Sequence, residues 1–349
     1  MQEKVDYKCD IVIPVWNLKE WTQRCVESII VNTEYPYRLI IIDNGSEKPT
    51  RDYLVSLKQD KRLKYYLFIR NEKNLGCTKA INQGMKAASS EYILVLNNDT
   101  IVCSGWLSEL VRIAQLSGDI GIVNPNSNNL GAKKPWHMSL EQYARKIMEK
   151  YKGRYIEMSA AVGFCSLIKK EVVERVGVYD EGFGMGNFDD TEYSIRARQA
   201  GFKTVFAKGP YVYHKEHASF DLLGDFDEFF GESQKVFYEK FGRPERLLYI
   251  LSRQNKEYFK KLKKQTHDLA DNLNWVRIFI KTHLKPPDLA EHTNIVLIPI
   301  SFLFFRIHCV FNVLVKKKKY ARIFVDDGIL LDILKKLKRF HKAEVNPIL

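Results

Sequence analysis

Three stretches run apolar and largely β-branched, then stop in amides or carboxylates: CDIVIPVWN at 9–17, RLIIIDNGS at 38–46 and YILVLNNDT at 92–100. A strand with no polar alternation is buried on both faces, which requires helices above and below a mostly parallel sheet. The intervening segments can supply them. Residues 18–31 place Leu18, Trp21, Cys25 and Ile29 at helical spacing, and 50–59, 77–88 and 106–117 read as further helices, with KYYLFIRN at 64–71 a fourth strand. Pro14 is expected to stop the first strand. Sheets of this kind bind ligands outside the carboxyl ends of their strands. The polar residues Asn17, Asp43, Asn44, Asn97, Asn98 and Asp99 fall at those ends.

Beyond residue 121 the pattern is less regular. Residues 160–177 read as a strand entering a helix, 188–202 as a helix that begins with acids and ends at Gly201, and 203–219 as one or two strands. No internal repeat interrupts the chain.

Charge divides the 349 residues unevenly: 1–240 hold 33 Lys and Arg against 32 Asp and Glu, and 241–349 hold 22 against 10. This predicts a near-neutral body over 1–240 and a basic, helical appendage over 241–349. A nucleic-acid enzyme would carry its positive charge on the main domain, so nucleic acid is not an expected partner. Six scattered cysteines without a CxxC pair fit a reducing compartment, and the first residues lack the apolar core of a signal peptide. The expected location is cytoplasmic.

The motifs IIIDNGS, NLGCTKAINQGM, LNNDT, NFDDTEYSIRARQAGF and VYHKEHAS follow one another in that order. Together they resemble the family 2 glycosyltransferases of the GT-A fold, over roughly residues 8–220. The resemblance implies an α/β GT-A domain and an inverting, metal-dependent enzyme that takes a sugar from a nucleoside diphosphate, with relatives in bacterial surface polysaccharide and O-antigen synthesis. It implies a nucleoside cradle at Pro14, Val15, Trp16 and Asn17, with Asp43 on the imide of uracil or thymine and Asn44 beside it. Gly76, Lys79 and Asn82 would line the nucleotide at a helix start.

Asn97, Asn98 and Asp99 stand at the family's DxD position, where a carboxylate holds Mg²⁺ or Mn²⁺ against the diphosphate. Asn97 in place of the first Asp is a departure, leaving Asp99 as the direct ligand. A family histidine that completes the metal shell corresponds to His214, with His217 as the alternative. In Asp189–Asp190 the second acid corresponds to the base that takes the acceptor's proton, and the first to an orienting group. Arg196 or Arg198 is a candidate partner for the acids, and Gly182, Gly184 and Gly186 a candidate flap.

Residues 295–315, IVLIPISFLFFRIHCVFNVLV followed by four lysines, have roughly the length of a membrane span. A central Arg306 costs about 2.5–3.5 kcal/mol in a bilayer. The preferred expectation is an amphipathic segment on an anionic membrane surface, the alternatives being a span or helices packed on the body or on a second subunit. ILLDILKKLKRFHK at 329–342 repeats the apolar-plus-basic theme. A membrane location suits an acceptor glycan carried on a polyprenyl diphosphate. Two rival readings are a nucleotidyltransferase and a nucleotide-sugar-binding protein whose site has decayed at Asn97.

Overall fold

A computed structural model describes residues 6–184, 186–216, 226–253, 256–282 and 289–348. The chain forms two compact units, the first running to Ile156 and resuming over Ala160–Phe241, the second joining Glu157–Ser159 to the chain from Gly242 onward.

The first unit contains β1 (Cys9–Val15), α1 (Lys19–Asn32), β2 (Tyr37–Asn44), α2 (Lys48–Ser56), β3 (Tyr66–Asn71), α3 (Cys77–Ala87), β4 (Tyr92–Leu96), β5 (Thr100–Val102) and α4 (Trp106–Ala114). It continues with β6 (Ile120–Asn126), α5 (Leu140–Tyr151), β7 (Tyr155–Met158), β8 (Cys165–Lys169), α6 (Lys170–Val176), α7 (Asp189–Gln199), β9 (Lys203–His214) and α8 (Phe226–Phe241). The sheet order is β3-β2-β1-β4-β8-β6-β9-β5, with β7 also on β9. Its β3-β2-β1-β4 half is parallel, β8 runs antiparallel between β4 and β6, and β9 returns parallel to β6.

Both faces are covered, as the unalternating strands require. Ile11, Ile13, Leu39, Ile41, Leu94 and Leu96 pack into one core with Cys25 and Ile29 of α1 and Trp106 of α4. Their neighbours Val12, Ile40, Ile42, Ile93 and Val95 pack into the other with Ala80 and Met85 of α3 and Tyr193 of α7. Helix α3 sits so close to β1 that a Cβ at Gly84 would lie 2.2 Å from a methyl of Val12.

Two local expectations are corrected. Pro14 lies inside β1, opposite Ile42 of β2. It is tolerated because β4 pairs with β1 only as far as Val12. The stretch 92–100 is two strands: β4 ends at Leu96, and the chain resumes as β5 antiparallel to the end of β9.

The second unit contains β10 (Arg246–Leu251), α9 (Lys256–Asp271), β11 (Trp275–Lys281), β12 (Ile295–Ile300), α10 (Phe305–Val315), β13 (Arg322–Val325), α11 (Gly328–Lys336), α12 (Lys338–His341) and β14 (Glu344–Pro347). The expected helices are present, but they flank a five-stranded sheet of order β12-β11-β10-β13-β14, parallel throughout. Leu248 and Ile250 face α10 and α11, and Leu247, Tyr249 and Leu251 face α9. Short apolar runs such as RLLYIL have no period that separates a buried strand from a buried helix, so the sequence does not reveal the sheet. The segment 295–315 is corrected likewise: its first six residues are strand β12 and only 305–315 are helix. Among the described residues no helix is long and apolar enough to cross a membrane.

Candidate active site

The parallel register of β1 and β2 sets Val15 beside Asp43, so the two strand ends build one wall. Asn17 and Leu18 both take left-handed φ of 56°. That conformation is uncommon outside glycine, and most of all for Leu. It is held by Asn17 N–H donating to Ser46 Oγ at 2.9 Å and by Asn17 Oδ1 accepting from Glu47 N–H at 2.8 Å. Pro14 and Val15 are buried in the strand, and Trp16 is half-buried beyond it.

Asp43 is fully buried. One carboxylate oxygen accepts from Ser46 N–H at 2.9 Å, and the other is paired with the Arg70 guanidinium. The expectation that Asp43 presents its carboxylate to a base is thereby modified: the exposed part of this pair is Arg70, whose side chain keeps 32% of its surface. Arg70 was not singled out in the sequence, although Asp43 and Arg70 are register partners on β2 and β3.

Asn44 donates to Asn74 Oδ1 and to Gly76 O at 2.8 and 3.1 Å and accepts from Asn71 Nδ2 and Leu75 N–H at 3.0 and 3.1 Å. With its amide fully engaged, it shapes the Asn74–Gly76 turn rather than touching a ligand. Gly76 enters α3 with φ 90°, a conformation that suits glycine. Lys79 points to solvent. Asn82 is buried, exchanging hydrogen bonds with the Tyr179 backbone and donating to Glu181 Oε1. Asn98 likewise points inward, donating to Thr22 Oγ1 at 3.0 Å. These are structural positions, which sequence spacing alone does not separate from binding ones.

Asp99 and His214 come together because β5 pairs Thr100 with His214. His214 Nε2 lies 3.2 Å from Asp99 Oδ1 and 3.5 Å from Asn97 Nδ2. The imidazole stacks on Phe164 with ring centroids 5.0 Å apart. Its backbone is clamped on both sides by Asn128, whose Oδ1 accepts from His214 N–H and whose Nδ2 donates to His214 O. His217 lies outside the described residues.

Among the described residues no three His, Cys, Asp or Glu gather to hold a metal unaided. A carboxylate and an imidazole facing one another are donors that would suit Mg²⁺ or Mn²⁺. Asn129, which sequence reasoning missed, decides whether the imidazole is free to bind. Its Nδ2 lies 3.0 Å from His214 Nδ1, while its buried Oδ1 finds no hydrogen-bond partner among the described residues. In this orientation of the amide Nδ1 accepts and Nε2 carries the proton. Turning the amide over pairs the orphaned Oδ1 with Nδ1–H and leaves the Nε2 lone pair for a cation. Asn129→Leu is expected to raise the Mn²⁺ concentration for half-maximal donor-induced thermal shift by about 10–100-fold. An unchanged requirement would remove this role.

Helix α7 starts at the acid pair, after two left-handed residues, Asn187 (φ 70°) and Phe188 (φ 65°). Such a turn persists only where packing enforces it. Phe188 stacks on Phe237 of α8, and Ser233 Oγ donates to the carbonyls of Phe183 and Gly186. Asp189 accepts from Thr78 Oγ1 of α3 at 2.8 Å. Asp190 accepts from Gly163 N–H at 2.7 Å and Thr191 N–H at 2.6 Å. Burial first, and then the Asp189 charge, push Asp190 up to about 7 against the pull of those N–H donors. Asp189 is raised too, chiefly by burial. Arg196 is not their partner: it is bidentate to Glu192 at 2.7 and 2.9 Å.

Cys77, between Gly76 and Thr78, shows how the pieces converge. Burial pushes its thiol up to about 12, and the charges of Asp189, Asp99 and Asp190 add to that in turn. Asp189, Asp99 and Asp190 thus all lie within electrostatic reach of the start of α3. Trp136 is 92% exposed and Tyr155 of β7 36% exposed. Gly182 and Gly184 belong to a turn that leads to residue 185, outside the described residues.

The family model described as "Glycosyl transferase family 2" matches residues 10–177. An uncharacterized glycosyltransferase of Rickettsia bellii is 33% identical over 96 residues, 28% of this chain and 13% of that protein. The O-antigen biosynthesis protein RfbC of Myxococcus xanthus is 24% identical over 238 residues, 61% of this chain and 18% of its own length. Among solved structures, GalNAc-T7 with UDP, GalNAc and Mn²⁺ aligns at a TM-score of 0.49 and 19% identity, covering 61% of this chain and 44% of that one. The chain spans 13–24% of the length of the first curated relatives it matches. Residues 10–177 thus carry a domain that matches glycosyl transferase family 2.

Proposed function

We propose that this chain is an inverting, metal-dependent glycosyltransferase. Its donor is a nucleoside-diphosphate sugar, UDP- or dTDP-linked. Its acceptor is a hydroxyl of a glycan, free or carried on a polyprenyl diphosphate, in bacterial surface polysaccharide synthesis. The observation that carries the reading is Asp99 facing His214 at 3.2 Å, together with an acid pair whose Asp189 is tied to the start of α3 through Thr78. The similarity to RfbC supports the polysaccharide setting.

Asp99 and His214 would hold a divalent cation, which would supply neutralisation of the charge on the leaving nucleoside diphosphate. Asp190 takes the proton of the acceptor hydroxyl as that oxygen bonds to the anomeric carbon and the carbon–oxygen bond to the diphosphate breaks. Burial, and after it the charge of Asp189 that Thr78 fixes, keeps the pKa of the base high, at about 7. Arg70, anchored on Asp43, offers N–H donors at the nucleoside end.

The base must be ionised to act. Transfer therefore rises with pH through a value near 7, the raised position of Asp190. Asp189→Asn removes the like charge, so the midpoint of the kcat/KM profile moves to lower pH. A midpoint that stays in place would contradict the coupling.

The nucleotidyltransferase reading is disfavoured by the Pro14–Leu18 turn, which carries no glycine-rich triphosphate loop. The decayed-site reading rests on Asn97, yet Asp99 and His214 still face one another. A thermal-shift screen of UDP- and dTDP-sugars with Mn²⁺ tests donor class, because a ligand at a hundred times its Kd stabilises the fold by about 2.7 kcal/mol. Stabilisation by one nucleoside series is the expected result; none from any donor would count against the proposal.

A further inference from the structure

Helix α10 has two unlike long faces. Phe305, Cys309 and Val313 are buried in the core of the second unit. On the opposite side Phe304, Ile307, Phe311 and Val315 repeat at helical spacing and are 69%, 64%, 63% and 58% exposed. Phe302 and Leu303, just before the helix, are 59% and 58% exposed. Phe304 takes a left-handed φ of 59°, which is uncommon for an aromatic residue. The polar residues beside the stripe are His308 and Asn312, and Asn312 donates its amide to the His308 carbonyl. Six large apolar side chains in one continuous exposed row exceed the scattered apolar residues of an ordinary soluble surface.

The charge beside this row has one sign. Lys316–Lys319 follow the helix directly, and no acid occurs from 302 to 320. Arg306 is neutralised by Asp327 at 3.0 Å, so the free positive charge gathers at the carboxyl end of the helix. The short helix α12, which packs against α10, adds the 52% exposed Phe340 beside Lys338 and Arg339.

We infer that the outer face of α10, with the 302–304 turn and the Lys316–Lys319 run, seats in the headgroup region of an anionic lipid bilayer. An apolar row takes up acyl-chain contact while adjoining lysines take up lipid phosphates, and each such lysine strengthens binding where the surface is negative. An eleven-residue helix is about 16 Å long and lies in the interface instead of spanning roughly 30 Å of hydrocarbon. A second copy would set two units of the same strong positive charge against each other, whereas an anionic bilayer complements both features. This inference stands on the second unit and is independent of the transfer reaction.

The test is vesicle flotation of the full chain with phosphatidylcholine alone or with added phosphatidylglycerol. The wild type is expected to bind the anionic vesicles at least about tenfold more strongly, and less so in high salt. Ile307→Glu with Phe311→Glu should weaken binding at least about tenfold at an unchanged melting temperature, since neither side chain is in the core. Replacing Lys316–Lys319 by Gln should abolish the preference for phosphatidylglycerol. Equal binding to both vesicles, or binding untouched by the two glutamates, would overturn the inference. So would a solution dimer broken by the same glutamates without vesicle binding, which would assign the face to a second copy. Nucleoside-diphosphate release measured in parallel without vesicles separates the two claims: its absence beside intact flotation would strike only at the transfer reading.

Discussion

Asp190→Asn is expected to lower sugar transfer by about 10²–10⁴-fold, the usual contribution of a positioned general base. The substitution keeps the size of the side chain and one acceptor for the Gly163 or Thr191 N–H, so the loop it anchors should persist. Donor affinity should hold, because Arg70, offered to the nucleoside, and Asp99, offered to the metal, lie outside α7. Single-turnover kinetics beside donor titration check this. A fall in donor affinity equal to the fall in rate would make Asp190 a structural anchor. Wild-type turnover would remove it from the mechanism altogether.

The second large effect concerns Asp99 and His214. Asp99→Ala is expected to abolish the response of donor binding to Mn²⁺, removing most of the roughly 2.7 kcal/mol stabilisation conferred by donor at a hundred times its Kd. His214→Ala should act in the same direction. It should also lower the melting temperature of the free protein, because the ring fills space against Phe164 and Asn129. Metal titrations of the donor-induced thermal shift for the two variants read both effects. A retained Mn²⁺ response in Asp99→Ala would move the metal elsewhere.

Much of the first unit was legible because its strands carry their own diagnosis. β1, β2 and β4 carry unbroken apolar runs at Ile11–Val15, Leu39–Ile42 and Tyr92–Leu96, and both alternating sets of side chains prove to be buried. The polar ends of the same strands marked the cleft. What stayed hidden depends on pairing across long stretches of chain. CSLIK reads the same whether its strand runs parallel or antiparallel, and the direction of β8 follows from its neighbours β4 and β6. Arg70 meets Asp43 only through the β2–β3 register, and Asn129 reaches His214 across 85 residues. Nor does a motif tell a ligand-facing amide from a structural one: Asn44, Asn82 and Asn98 are all engaged within the protein. In the second unit, apolar runs of six or seven residues left strand and helix unresolved, which is why a five-stranded sheet emerged from a segment read as helical.

Release of nucleoside diphosphate from a panel of UDP- and dTDP-sugars, with Mn²⁺ and a glycan acceptor, tests the central claim most directly. The account predicts release from at least one donor, coupled to a product of inverted anomeric configuration, and lost on chelation of the metal or on Asp190→Asn. Donor binding without release from any sugar in the panel, or a product of retained configuration, would contradict it.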